Sequence, residues 1–282
     1  MAAKKRGAVL CSSCRQLISA QEKRCPHCGA AAPALFGFGP GLHALFRDAI
    51  EPVSLILGPT VALFGLSLLL DPGCIELGIH LDFASPSSEA LRLLGMTSGP
   101  ALFGGRLWTL ISASFLHGSL MHIVFNMMWL RNLGGLTARE FGPGRFLLIY
   151  VLSGVGCFLL SDLWSGAPTI GASGGLFGLM GALFAFGKRR GGTFGEAIRG
   201  QMLMWGGFAF FLGLAMPGVN NAGHVGGLIT GLVLGSLLPY AERQRETRAA
   251  QLGGLLMLVL AAGSVLAAVV TGWGGFRPGE CP

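Results

Sequence analysis

Charged residues are missing from five long stretches of this chain, 53–70, 169–187, 202–218, 222–240 and 252–273. Each holds sixteen or more residues, the length an α-helix needs to cross a hydrocarbon layer about 30 Å thick at 1.5 Å per residue. Two further apolar stretches, roughly 110–130 and 146–160, carry internal polar residues such as His117, His122 and Asn126. The pattern therefore predicts seven transmembrane helices, an all-α polytopic membrane fold.

Basic residues choose the orientation. With the N-terminus inside, 17 of the 20 Lys and Arg fall on the inner side and only Arg92, Arg106 and Arg277 on the outer side. That is a strong positive-inside bias, and the odd number of spans puts the C-terminus outside. Spans 2, 4 and 6 then run in the same direction, with their N-terminal halves in the outer leaflet. The connection 71–109 is the one long loop between spans, and it is expected to fold against the outer surface. Residues 1–23 lack the apolar core of a secretory signal.

Composition agrees. The chain is 52% hydrophobic and 12% charged, against about 25% charged in soluble domains, which argues against an ordinary water-soluble enzyme. The net charge of +7 goes with membrane orientation rather than nucleic-acid binding. The 47 glycines show no repeat, and their natural use is close helix packing in lipid.

Cys11-x-x-Cys14 and Cys25-x-x-Cys28 are two knuckles ten residues apart. Each sets two thiolates on a tight turn, so that four sulfurs surround one tetrahedral Zn²⁺. A structural zinc ribbon over 1–30 is expected. The metal would supply much of its folding energy, and a reducing inner compartment disfavours the alternative of two disulfides. His27 is a bystander or a group supporting the ligands from outside, since four Cys already complete the site. The ribbon's partner, protein or nucleic acid, stays open. Residues 31–52 read as a linker followed by a short interfacial helix built on Leu42, Leu45, Phe46 and Ile50. Cys157 reads as a small packing residue. Cys74 and Cys281 both fall outside, where a disulfide between them would tie span 7 to the long loop.

Polar groups inside spans are costly in lipid and call for a function. His122 and Asn126 share one face of span 2, with His117 on another. Span 4 opens Gly171-Ala-Ser173-Gly-Gly, and span 6 opens Gly223-His224-Val-Gly-Gly227. Gly174-x-x-x-Gly178 and Gly227-x-x-x-Gly231 let the two helix backbones approach closely. Such contact would bring Ser173 to His224, each about one turn inside the outer end of its helix. A neutral imidazole within reach of a hydroxyl makes an activated serine nucleophile. All 13 acidic residues lie outside the apolar spans, with Asp162 at an edge, so a Ser–His dyad without a carboxylate is expected. His122, Asn126 and the first N–H groups of span 4 are the candidates to hold an oxyanion.

His117-x-x-x-x-His122-x-x-x-Asn126, Gly171-x-Ser173-Gly174 with Gly178, and His224-x-x-Gly227-x-x-x-Gly231, in that order on spans 2, 4 and 6, resemble the motifs of the rhomboid intramembrane serine proteases. The resemblance covers about residues 53–240. It implies a six-helix core with an added seventh span, Ser173 as nucleophile, His224 as base and His122 with Asn126 as oxyanion stabilisers. It also implies structural roles for His117 and for Glu140 in an inner loop, and span 5 with the loop 216–222 as the route of substrate entry. Two positions depart from the family pattern: Thr109 follows Trp108 where Arg is common, and Gly223 precedes the histidine where Ala is common.

The expected organisation is ribbon 1–30, linker and interfacial helix 31–52, core 53–240, and 241–282 holding an inner loop, the seventh span and a short outer tail. The expected activity is serine endopeptidase cleavage within transmembrane segments of other membrane proteins, with no cofactor beyond structural Zn²⁺. A bacterial cytoplasmic membrane is the expected location. The alternatives are a non-proteolytic rhomboid-like binder of transmembrane clients and a membrane-anchored zinc-ribbon module.

Overall fold

The structure, a computed structural model, describes residues 8–11, 16–19, 22–29, 52–78, 82–216, 218–279 and 281. Cys14, and the linker and interfacial helix up to residue 51, lie outside the described residues. At the N-terminus β1 (Ala8–Leu10) pairs antiparallel with β2 (Leu17–Ser19), and Cys11 N–H donates to Gln16 O at 2.9 Å.

Among the described residues seven long helices follow in the expected order: α1 (Ser54–Leu70), α5 (Leu120–Phe141), α6 (Pro143–Trp164), α7 (Ser173–Arg190), α8 (Gly192–Ala215), α9 (Asn221–Leu237) and α10 (Arg248–Gly272). Between α1 and α5 the outer connection forms a small hairpin, β3 (Glu76–Leu77) with β4 (Phe83–Ser85), and three short helices, α2 (Ser88–Leu94), α3 (Gly99–Phe103) and α4 (Thr109–Ser112). Ser87 and Ser98 start α2 and α3 by accepting the N–H groups of Ala90 and Ala101. Leu91 and Leu94 of α2 are buried with Leu63, Leu70 and Val269, so the connection lies folded onto the ends of α1 and α10.

Among the described residues two helices, Pro143–Trp164 and Arg248–Gly275, are each long and apolar enough to cross a membrane alone, and Thr109–Phe115 with Leu120–Phe141 joins them if the bent pair is one span. The other helices fail that test for a physical reason. α1 and α9 have 17 residues each, α7 ends in Lys188, Arg189 and Arg190, and α8 carries Glu196 and Arg199. The glycines of α7 and α9 all pack against neighbouring groups.

Several expected boundaries move. The stretch 110–130 is not one helix: a turn of 3-10 helix at Ala113–Phe115 breaks from α5 at 93°. Ser119 then caps α5 by accepting His122 N–H at 3.2 Å. α8 begins at Gly192, ten residues before the expected 202, because Gly191 and Gly192 both take φ +67 and reverse the chain directly after α7. Glu140 lies in the last turn of α5, not in a loop, and its carbonyl accepts Ala241 N–H at 2.7 Å.

The core is built around α6, α7 and α9, which touch through glycines. A Cβ on Gly231 would overlap the carbonyl of Gly178, and one on Gly227 the carbonyl of Gly174. Gly226 would bring its Cβ to 2.5 Å from Gly156 O on α6. No side chain fits these interfaces, and so the backbones meet directly. At the other end of the bundle, buried Arg145 donates to the carbonyls of Phe141 (2.9 Å), Gln244 (3.2 Å) and Arg245 (3.3 Å). Glu246 accepts the N–H groups of Gly144 (2.6 Å) and Arg145 (3.2 Å), fastening the α9–α10 loop to the first turn of α6.

Candidate active site

Ser173 is the first residue of α7, and His224 is the fourth of α9. The serine therefore sits at the helix terminus rather than one turn inside. The glycine seams described above fix the spacing of the two helices, and His224 Nε2 stands 3.0 Å from Ser173 Oγ.

The other ring nitrogen decides what that contact can do. His224 Nδ1 lies 3.3 Å from Asn221 Oδ1, three residues earlier on the same helix. An amide oxygen is an acceptor, so it favours the proton on Nδ1 and leaves the Nε2 lone pair facing the hydroxyl. Phe177, one turn along α7, stacks on the imidazole at 4.3 Å between centroids and 14° between planes. The imidazole is thus held by an amide on one edge and a ring on its face. Asn221 was not among the expected site residues. Its signal in the sequence is the i, i+3 spacing to His224, which equally fits a helix start.

Asp162, the one carboxylate near enough in sequence to be considered, turns elsewhere. Its Oδ2 accepts Thr97 Oγ1–H at 2.6 Å, and Thr109 Oγ1 lies 3.2 Å from Thr97 Oγ1 and 2.7 Å from Arg106 O. This chain of buried groups anchors the outer connection to the end of α6, and Thr109 takes part in it as a hydroxyl where the family pattern has Arg. The second departure has a steric reason: a Cβ on Gly223 would come 2.9 Å from Cys157 Sγ. Cys157 is buried against α7 and α9, a packing position.

His122 approaches from α5. Its Nδ1 accepts Gly118 N–H at 3.4 Å, which puts the proton of a neutral ring on Nε2. That Nε2 faces Gly171: a Cβ there would lie 2.9 Å from it and 3.8 Å from Ser173 Oγ. Gly171, with φ +127, lets the backbone pass under the imidazole, and its N–H donates to Ala113 O at 2.9 Å. His122 therefore turns Nε2 to Gly171, two residues before Ser173, where α7 starts with N–H groups that an α-helix leaves without i−4 partners. Asn126 is buried one turn further along and gives its Nδ2 to His122 O at 2.8 Å. His117 is not on the helix with His122, as the sequence suggested. It lies in the bend before α5, fully buried, with its ring 4.9 Å from that of His122.

In the N-terminal hairpin the sulfurs of Cys11, Cys25 and Cys28 all lie within 4.8 Å of one another, with Cys11 and Cys28 at 3.8 Å. Ligands on a tetrahedron with Zn–S near 2.3 Å stand about 3.8 Å apart, so Cys11 and Cys28 have the spacing of two zinc ligands and the three sulfurs together could hold a metal ion. His27 is exposed. At the far end of the chain Cys74 and Cys281 are joined, with Cα atoms 5.3 Å apart, and Gly279 N–H donates to Asp71 Oδ1 at 2.9 Å.

A bundle of apolar helices with a hydroxyl–imidazole pair at one end defines a polytopic membrane protein. Residues 104–241 match the family model of the Rhomboid domain. This segment, just under half of the chain, is a Rhomboid domain. It is similar to the Rhomboid protease GluP of Bacillus subtilis (strain 168), 31% identical over 160 residues, which is 57% of this chain and 32% of that protein. It is also similar to RHOMBOID-like protein 4 of Arabidopsis thaliana, 35% identical over 156 residues, 54% of this chain and 40% of the relative. The Rhomboid protease GlpG of Yersinia pestis (strain Pestoides F) is 36% identical over 134 residues, covering 46% of this chain and 47% of that protein. The chain thus spans 32–47% of the length of these relatives.

Proposed function

We propose that this protein is an intramembrane serine endopeptidase that cuts transmembrane segments of other membrane proteins. The observation that carries the reading is the 3.0 Å separation of Ser173 Oγ and His224 Nε2, with Asn221 at the opposite ring nitrogen. Ser173 attacks the scissile carbonyl while His224 Nε2 takes its proton, and the same imidazole returns the proton to the leaving amine. The oxyanion is held by His122 Nε2–H and by N–H groups of the first turn of α7, with Asn126 steadying His122 through its backbone carbonyl. Water then releases the acyl group. His224 works as a base only when neutral, so activity falls as it protonates in acid.

A substrate helix hides its carbonyls in internal hydrogen bonds and must unwind before Ser173 reaches one. Spans with Gly, Pro or polar residues near the same end of the membrane are the substrate class. α8 is the natural side of entry, because Leu203, Met204, Phe208 and Phe211 on it are all more than 60% exposed. The N-terminal ribbon binds structural Zn²⁺ through Cys11, Cys14, Cys25 and Cys28 on the inner side, and the tail carrying Cys281 lies outside, as in a bacterial cytoplasmic membrane. Labelling by a fluorophosphonate probe in detergent tests the central claim. Wild type is expected to label and Ser173→Ala not to; an unlabelled wild type would leave a non-proteolytic rhomboid-like binder as the reading.

A further inference from the structure

The residue just before α9 makes more contacts than a helix start requires. Asn220 accepts Gly223 N–H on its Oδ1 at 3.0 Å and His224 N–H on its backbone carbonyl at 3.2 Å. That is ordinary N-capping, which Ser, Thr or Asp would do as well. Its Nδ2 does something else. It donates to Ser161 Oγ at 2.6 Å and to Thr169 Oγ1 at 3.2 Å, and those two hydroxyl oxygens stand 3.0 Å apart.

These partners belong to the other half of the site. Ser161 is on α6, and Thr169 is on the segment that runs through Gly171 to Ser173. Thr169 is itself pinned, donating its N–H to Thr97 O at 2.9 Å and its hydroxyl to Ala167 O at 2.9 Å. Its proton is thus committed, and its remaining lone pair needs a donor. An amide supplies acceptor and donor from one short side chain. Seen from α9, the Oδ1 of Asn220 holds the helix carrying the base and the Nδ2 holds the strand delivering the nucleophile.

Resting on the reading of Ser173 and His224 as the reacting pair, we infer that Asn220 is a positioning residue, whose amide locks the His224 helix to the Ser173 segment and so sets the separation of the two side chains. It touches neither reacting atom. Loss of the lock lets the hydroxyl–imidazole distance drift, and a misplacement of about 1 Å costs up to about a hundredfold in rate.

The test is the fluorophosphonate reaction of the full-length protein in detergent, followed against probe concentration to separate the maximal inactivation rate from the probe's apparent affinity. Asn220→Ser keeps a capping oxygen but lacks the donor. It is expected to melt within a few degrees of wild type, to keep the affinity for the probe, and to lose about ten- to a hundredfold in maximal rate. A wild-type maximal rate in that variant would reduce Asn220 to a cap and overturn the inference. Should Asn220→Ser fail to fold, the double variant Ser161→Ala, Thr169→Val removes the same bridge from its other side. The same fall in rate supports the lock, and an unchanged rate overturns it. An unlabelled wild type would instead remove the protease reading itself, and this inference with it.

Discussion

Asn221 Oδ1 lies 3.3 Å from His224 Nδ1, on the side of the ring opposite Ser173. In serine hydrolases with a triad a carboxylate takes that place, fixing the tautomer and steadying the imidazolium. Here the partner is a neutral amide, which can do the first but lends no charge to the second. Asn221→Ala should therefore lower Ser173 labelling about ten- to a hundredfold without abolishing it, through loss of tautomer control. Asn221→Asp should keep the labelling but move its acid limb to higher pH, because a carboxylate favours the imidazolium, the form that cannot accept the serine proton. Labelling rates measured from about pH 5 to pH 8 separate the two. An acid limb that stays in place in the Asp variant would mean that Asn221 does not face the base.

The α7–α9 seam should be intolerant of a single methyl group. Gly231→Ala forces a Cβ into the carbonyl of Gly178, an overpacking that costs about 1–3 kcal/mol and pushes His224 away from Ser173. Both thermal stability and labelling are expected to drop. Gly200 provides the control, since it is inside α8 with nothing within 4 Å of a new Cβ. Gly200→Ala should gain about 0.5–1 kcal/mol from helix propensity alone, with labelling unchanged. Equal behaviour of the two variants would contradict the seam.

The two cysteine groups should separate by chemistry. Purified protein is expected to hold one zinc per chain by elemental analysis, to lose it with Cys25→Ser, and to keep Ser173 labelling either way. Cys281→Ser should leave the zinc in place and abolish the mobility difference between reduced and unreduced protein on a gel. If chelation silenced Ser173 as well, the ribbon would have to be treated as part of the catalytic unit.

Much of this arrangement was legible in the chain. Gly174, Gly178, Gly227 and Gly231 announce a seam because four-residue spacing puts small residues on one helix face, and the seam brings Ser173 to His224. The break before α5 was not legible, because residues 113–119 stay free of charge and a count of apolar length runs across them. The start of α8 was hidden for the opposite reason: Glu196 and Arg199 read as loop, yet a 24-residue helix is long enough for charges in its first turns to reach the interface. Asn221 and Asn220 looked like ordinary polar residues at a helix start. Only the placement of α6 and of segment 169–171 against them gives the two amides separate tasks.

Glu246 offers a test of the opposite end of the bundle. Its half-buried carboxyl is pushed above the ordinary glutamate range by burial, an effect only partly opposed by the Arg145 and Gly144 N–H groups and the Arg145 charge. A carboxyl that protonates more readily in the folded than in the unfolded chain makes the folded state bind more protons, so its contribution to stability falls as pH rises through that range. Asn or Gln in its place does not titrate. Thermal unfolding of wild type and Glu246→Gln, compared from about pH 4 to pH 7 around the usual carboxyl range, should show wild type gaining on the variant as the pH is lowered. Glu246→Ala should be the weakest of the three at neutral pH, by about 1 kcal/mol, because the first N–H groups of α6 lose their acceptor. Wild type losing ground to Glu246→Gln in acid would reverse the sign and show that attraction to Arg145 outweighs the cost of burying the charge.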